Sequence, residues 1–247
     1  MVKYKNGCKN MTVIQNEIKT LLLSLGVSDV GFCHTEDSVG GLSNAVSIVV
    51  RLSDAIIDEI EDKPTHTYFN HYRSVNAFID HCLLRVGLLL QQNGYKYITV
   101  ASSQSINDEG WNYCGRYSHK KIACLAGLGN MGNNCLFLHR DYGAAVRLGT
   151  VFTDCEFENP SQYPENPCTH CNICKEKCPS GAISGKNWSA DRESFFNPAK
   201  CSEFMKREYK NIGRGAVCGL CIKYCPYGKQ DKKSLLCSQK QDGTFCL

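Results

Sequence analysis

The feature that most restricts this chain is the spacing of Cys168, Cys171, Cys174 and Cys178, a C-x2-C-x2-C-x3-C run with Pro179 directly after it. A second set, Cys218, Cys221 and Cys225 followed by Pro226, repeats the ending as C-x2-C-x3-C-P. The stretch that carries both sets has only short apolar runs, too little to close a core, so bound metal has to hold it together. The chain has 17 cysteines, an odd number that complete disulfide pairing cannot use. Export is not indicated either. Leu21, Leu22, Leu23 and Leu25 follow Glu17 and Lys19, which is no signal-peptide core, and no twin-arginine signal stands at the N-terminus. No window approaches the ~20 apolar residues of a membrane span. The expectation is a cytoplasmic chain with no membrane partner, whose thiols stay reduced and hold metal or do chemistry.

The first run has the spacing of bacterial two-cluster ferredoxins, in which the fourth cysteine belongs to the other cluster. Three thiolates two residues apart on a tight loop reach three corners of one iron–sulfur cube. The fourth, one step further on, points away, and the proline beside it fixes the departing backbone. The second motif lacks one ligand for a complete set of eight, and Cys201, between the motifs, can supply it. The expected sets are Cys168, Cys171, Cys174 and Cys225 for one 4Fe–4S cluster, and Cys178, Cys201, Cys218 and Cys221 for the other. Zinc sites favour C-x2-C pairs, often with histidine, and fit this pattern less well. His170 is expected to face solvent. Of the remaining cysteines, Cys82, Cys124 and Cys135 lie on apolar faces as core residues, while Cys114, in an irregular stretch, is the one to watch for reactivity.

Upstream the pattern is α/β. Ile14, Ile18, Leu21, Leu22 and Leu25 share a helical face, and 45–50 (AVSIVV) reads as a buried strand. A long helix carries Val75, Phe78, Ile79, Cys82, Val86, Leu89 and Leu90, ends at Gly94, and leads to a strand at 97–100. Periodicity disappears over 102–117, a loop long enough to be functional. A short helix from His119 and strands at 135–138 and 146–153 follow. A Pro- and Asn-rich linker at 160–167 suggests an α/β domain over 1–158 and a small double-cluster module over 159–247. The net charge of +4 specifies no nucleic-acid partner, and the basic excess after Lys200 reads as a solvated face.

The segment 120–134 (KKIACLAGLGNMGNN) resembles the AGLG-x-x-G-K-N element of epoxyqueuosine reductases. Tyr142-Gly143, 148–154 (LGTVFTD), 179–183 (PSGAI) and Lys200-Cys201-Ser202 match that family's continuation, and the similarity runs over roughly residues 12–230. The resemblance implies a nitroreductase-like α/β domain followed by a ferredoxin-like double 4Fe–4S module. It also implies cobalamin held near one cluster, with Gly127, Gly129, Asn130 and Gly132 as candidate corrinoid contacts. Electrons would pass from an external donor such as ferredoxin or flavodoxin through the clusters to cobalt, an architecture that reductive dehalogenases share.

Two departures from the family pattern bear on function. The family's proton-donating Asp has no carboxylate counterpart: an ungapped count places it at Tyr113, and alignment on the preceding strand places it near Ala101 or Ser102. Tyr113, Tyr117 and His119 are therefore the candidate acids. The chain also ends at Leu247, soon after Cys225, without the helical-repeat extension that helps such enzymes bind tRNA, and Asn133 replaces the element's lysine. That argues against tRNA and for a small-molecule or nucleoside-like substrate. The expected function is a cobalamin-dependent iron–sulfur reductase with its pocket beside the Cys168 group, roofed by 102–117. The alternative is a non-catalytic two-cluster carrier that reduces a partner protein. A purely structural metal module ranks below both.

Overall fold

The computed structural model describes residues 11–106, 110, 113–160, 165–168, 171–189 and 191–228. His170, Cys8, Cys237 and Cys246 lie outside the described residues, as do 107–109 and 111–112 of the expected roof. Helix α1 (Met11–Ser24) leads into a hairpin of β1 (Asp29–Val39) and β2 (Leu42–Arg51). Then follow α2 (Asp54–Asp58), α3 (His66–Gln92), β3 (Tyr97–Val100) and α4 (His119–Leu125). A small hairpin of β4 (Gly129–Met131) and β5 (Phe137–His139) precedes β6 (Val146–Thr153). The cysteine-rich part holds α5 (Ile173–Glu176), α6 (Pro198–Glu208) and α7 (Leu220–Lys223), with two 3-10 turns between α5 and α7.

The main sheet runs β1-β2-β6-β3, and every pair in it is antiparallel. Its faces follow from side-chain alternation along a strand. Val46, Ile48 and Val50 of β2 join the core with Ile14, Ile18 and Leu22 of α1 and Ile79, Leu83 and Val86 of α3. Ala45 and Val49 turn the other way, to Ile122 and Ala123 of α4 and Phe137 of β5. The helices start where side chains cap them: the Thr65 hydroxyl accepts from the Tyr68 N–H at 3.0 Å, and Ser118 accepts from Lys121 N–H at 3.3 Å. Gly94, at φ +87°, supplies the left-handed backbone that stops α3. Gly149 of β6 has no Cβ because one would collide with Ile79 and Leu83, so α3 lies close on the sheet.

The predicted elements at 97–100 and 146–153 appear with those bounds. Two strands go beyond the expectation. In β1 the outer residues Glu36, Asp37 and Ser38 are exposed, and Gly31 interrupts the apolar run to let Ala126 approach. In β4 two of the four glycine-element residues expected to contact a cofactor, Gly129 and Asn130, are strand residues paired with β5. The strand expected at 135–138 begins two residues later, and Cys135 sits in the preceding turn at φ +61°.

The cysteine-rich part does not stand apart from the sheet. Val217, Leu220, Ile222 and Cys225 are buried in the same core as α1 and α3. The Lys223 ammonium pairs with Asp58 at 2.8 Å, and the Tyr224 hydroxyl donates to the Glu61 carbonyl at 2.8 Å. Among the described residues no helix is long and apolar enough to cross a membrane.

Candidate metal centre and adjoining cavity

The motif cysteines gather in two groups. Cys174 feels the like charges of Cys168, Cys225 and Cys171, and burial, the larger effect, pushes its thiol up to about 11. Cys201 feels Cys218 and Cys178, with burial first again raising it to about 12. Cys221 is raised well above the ordinary thiol value by desolvation and then by Cys218, Cys201, Cys178 and Cys174. Thiols so desolvated hold their protons unless a cation compensates the thiolate. A cluster's irons would do so, and a sulfur-only donor set fits iron–sulfur ligation. The charge of Cys174 also reaches Cys221, so the two groups are neighbours.

The first motif meets the α/β part through the turn after β4. Asn133 Nδ2 donates to the Cys168 carbonyl at 3.2 Å, and Asn134 Nδ2 donates to that of Cys221 at 3.3 Å. Beside this turn lies a cavity of about 120 Å³. Its polar lining is Ser102, His119, Lys120 and Arg147, and its apolar wall includes Leu136, Phe137, Leu148 and Ile222. The pocket was expected beside the Cys168 group. The cysteine-rich part contributes Ile222 instead, the chain neighbour of Cys221. Among the described residues of the expected roof, Ser102 lines it.

Arg147 is held from three directions. Its Nε donates to Asn76 Oδ1 at 2.9 Å, and its Nη2 lies 3.4 Å from both the Ser102 carbonyl and the Tyr72 hydroxyl. Its guanidinium stacks 4.4 Å from the Tyr72 ring centre. Burial alone would raise the Tyr72 phenol, but the Arg147 charge and hydrogen bonds with Ser103, Asn76 and Arg147 outweigh it, and the net shift is downward. A tyrosine made more acidic beside a fixed cation that itself lines a cavity is a candidate acid that sequence reasoning missed.

The sequence candidates separate. Tyr113 does not line the cavity; its carbonyl accepts from Arg192 at 3.4 Å. The Tyr117 hydroxyl donates to Asp37 at 3.1 Å and its ring packs edge-on against Phe152, on the α4 face of the sheet. His119 does line the cavity. Its Nε2–H donates to the Ala101 carbonyl at 3.0 Å and its Nδ1 faces the Thr150 hydroxyl at 2.9 Å, which fixes the tautomer. Burial lowers its pKa, leaving it neutral with its proton engaged.

Packing accounts for the glycines. A Cβ on Gly129 would strike the Leu138 carbonyl, and one on Gly132 would meet Asn134 and Leu138. Gly127 takes φ +69° in the turn after α4. Cys82 and Cys135 are buried, Cys124 is partly so, and Cys114 is exposed, with Arg192 Nη1 at 3.6 Å from its sulfur.

The description "4Fe-4S double cluster binding domain" matches residues 167–228. The epoxyqueuosine reductase of Listeria monocytogenes is 28% identical over 117 residues, which span 47% of this chain and 31% of the relative. Over that stretch the chain is similar to epoxyqueuosine reductases. An epoxyqueuosine reductase solved with an epoxyqueuosine-modified tRNA stem loop shares the fold at TM-score 0.59 and 19% identity, over 90% of this chain and 67% of that one. A reductive dehalogenase whose structure suggests a mechanism for B12-dependent dehalogenation gives TM-score 0.69 at 18% identity, over 93% of this chain and 34% of that one. The chain thus matches only about a third of the Listeria relative's length.

Proposed function

We propose that this chain is an iron–sulfur oxidoreductase that passes electrons through two 4Fe–4S clusters to a corrinoid beside the cavity, for a reductive reaction on a small or nucleoside-like substrate. The ligands are Cys168, Cys171, Cys174 and Cys225 for one cluster and Cys178, Cys201, Cys218 and Cys221 for the other. Its electrons come from an external ferredoxin- or flavodoxin-class donor. The observation that carries this reading is the cavity itself: it joins the module at Ile222, next to Cys221, and is lined by Arg147, whose guanidinium stacks on Tyr72.

The lining suits a corrinoid in kind. Ser102, Lys120 and Arg147 offer polar groups to its amide side chains, and Leu136, Phe137 and Leu148 give an apolar wall. In extent, about 120 Å³ is below the roughly 300–1,000 Å³ of clefts that hold drug-sized ligands, so only part of such a group enters it. A bound corrinoid supplies low-valent cobalt as the reductant of an electrophilic substrate. The chain supplies the rest. Tyr72 holds the proton to be delivered, Arg147 stabilises the phenolate left behind, and the apolar wall excludes water.

The test is a cobalamin titration of anaerobically reconstituted protein, read by the corrin absorption bands after desalting. Retention of about one corrinoid per chain with a shifted spectrum supports the reading and opens a substrate screen. Because one relative was solved with a modified tRNA stem loop, that screen includes tRNA. The small cavity volume favours a second reading, a two-cluster carrier that reduces a partner protein. Intact clusters with no corrinoid retained would decide for it.

A further inference from the structure

Asn133 and Asn134 are neighbours in the turn between β4 and β5, and both are buried, at 3% and 4% exposure. A buried amide has to satisfy both its ends. The Asn133 Oδ1 accepts from the Trp188 N–H at 3.0 Å, and its Nδ2 donates to the Cys168 carbonyl at 3.2 Å and to Asn187 Oδ1 at 3.3 Å. The Asn134 Oδ1 accepts from the Leu136 N–H at 3.1 Å, within the turn, and its Nδ2 donates to the Cys221 carbonyl at 3.3 Å. Each oxygen faces a backbone N–H and each nitrogen faces a carbonyl, so flipping either amide would set oxygen against oxygen.

The turn is itself held from the α/β side. The β4–β5 register aligns Met131 with Phe137, and the Lys120 ammonium donates to the Cys135 carbonyl at 2.7 Å. One residue thus grips a cysteine of the first group and the next residue grips a cysteine of the second. Their Cα atoms are a fixed ~3.8 Å apart across one peptide.

We propose that Asn133 and Asn134 are paired positioning residues that hold the two clusters at one separation and orientation, and so set electron transfer between them. The inference rests on the ligand sets given above. Electron tunnelling falls steeply with distance, so a fixed gap between clusters fixes the rate between them. The hairpin does not explain both amides: Asn134 serves it through Leu136, whereas every bond of the Asn133 side chain goes to the cysteine-rich part.

The experiment compares the unsubstituted chain with Asn133→Ser and Asn134→Ser, reconstituted with iron and sulfide and fully reduced. Iron per chain is counted, and the magnetic interaction between the two reduced clusters is read by electron paramagnetic resonance. The expected result is full iron with loss of the interaction splitting in both variants. Full iron with an unchanged splitting in both would overturn the proposal. Should Asn134→Ser lose iron through its broken turn, Asn133→Ser, which leaves the Leu136 hydrogen bond intact, decides alone. Failure of the unsubstituted chain to hold eight irons would sink the ligand sets themselves, an outcome separable from the splitting.

Discussion

The Arg147 guanidinium lies 4.4 Å from the centre of the Tyr72 ring while its Nη2 reaches the same residue's hydroxyl at 3.4 Å. The cation therefore both stacks on the phenol and stabilises its anion, which is how the Tyr72 pKa comes to lie below its ordinary value. If Tyr72 delivers the proton, Tyr72→Phe slows the reductive step about a hundredfold to ten-thousandfold. Iron content and corrinoid retention stay unchanged. The alkaline limb of the pH–rate profile moves up in Arg147→Gln, because the phenol loses its stabilising cation. A Tyr72→Phe enzyme with the full rate would remove this residue from the chemistry.

His119 makes a separate prediction, on stability. Its folded pKa is lowered chiefly by burial, so below the unfolded value of about 6.5 the unfolded chain binds the proton that the folded chain refuses. The sign is therefore loss of stability as pH falls from about 6.5 to the lowered folded pKa, at no more than about 1.4 kcal/mol per pH unit. Above about 6.5 the contribution is flat. Urea unfolding at several pH values should show a shallower acid slope for His119→Gln than for the unsubstituted chain. Identical slopes would mean that the ring titrates freely.

What could be read from sequence was whatever acts locally. Cluster ligand spacing is a property of a few consecutive residues, and the charges that Cys174 feels are those of Cys168, Cys225 and Cys171, the cysteines expected to share its cluster. Long helices and buried strands declared themselves by periodicity. Strand β1 did not, because its outer half turns Glu36, Asp37 and Ser38 to solvent. The Tyr72–Arg147 pair was invisible for a different reason: it exists only because α3 packs on β6 across Gly149. In the glycine element, where the resemblance offered corrinoid contacts, Leu138 and Asn134 occupy the space that a Cβ on Gly129 or Gly132 would need.

The contact between Gly143 and Tyr227 ties the second cysteine motif to the sheet. Gly143 takes φ +55°, and a Cβ there would run into the Tyr227 carbonyl, two residues after Cys225. Gly143→Ala therefore strains the backbone and pushes the end of the motif outward together. The expected effect is a loss of about 1–3 kcal/mol in unfolding free energy, as for other overpacked sites. Weaker iron retention on gel filtration should accompany it. Unaltered stability and iron content would show that the motif's end adjusts freely.

Removing the clusters by anaerobic chelation should not unfold the cysteine-rich part evenly. Helix α5 has four residues and buries none of them, and so short a helix does not persist on its own hydrogen bonds. It depends on the metal that its neighbouring cysteines hold. Helix α7 is equally short, but Leu220 and Ile222 are buried in the core that α1 and α3 share. Hydrogen exchange on the chelated protein should show amides of 173–178 exchanging at the rate of unstructured chain, while those of 220–224 keep part of their protection. Equal loss in both segments would mean that the clusters, rather than the α/β core, hold the second motif in place.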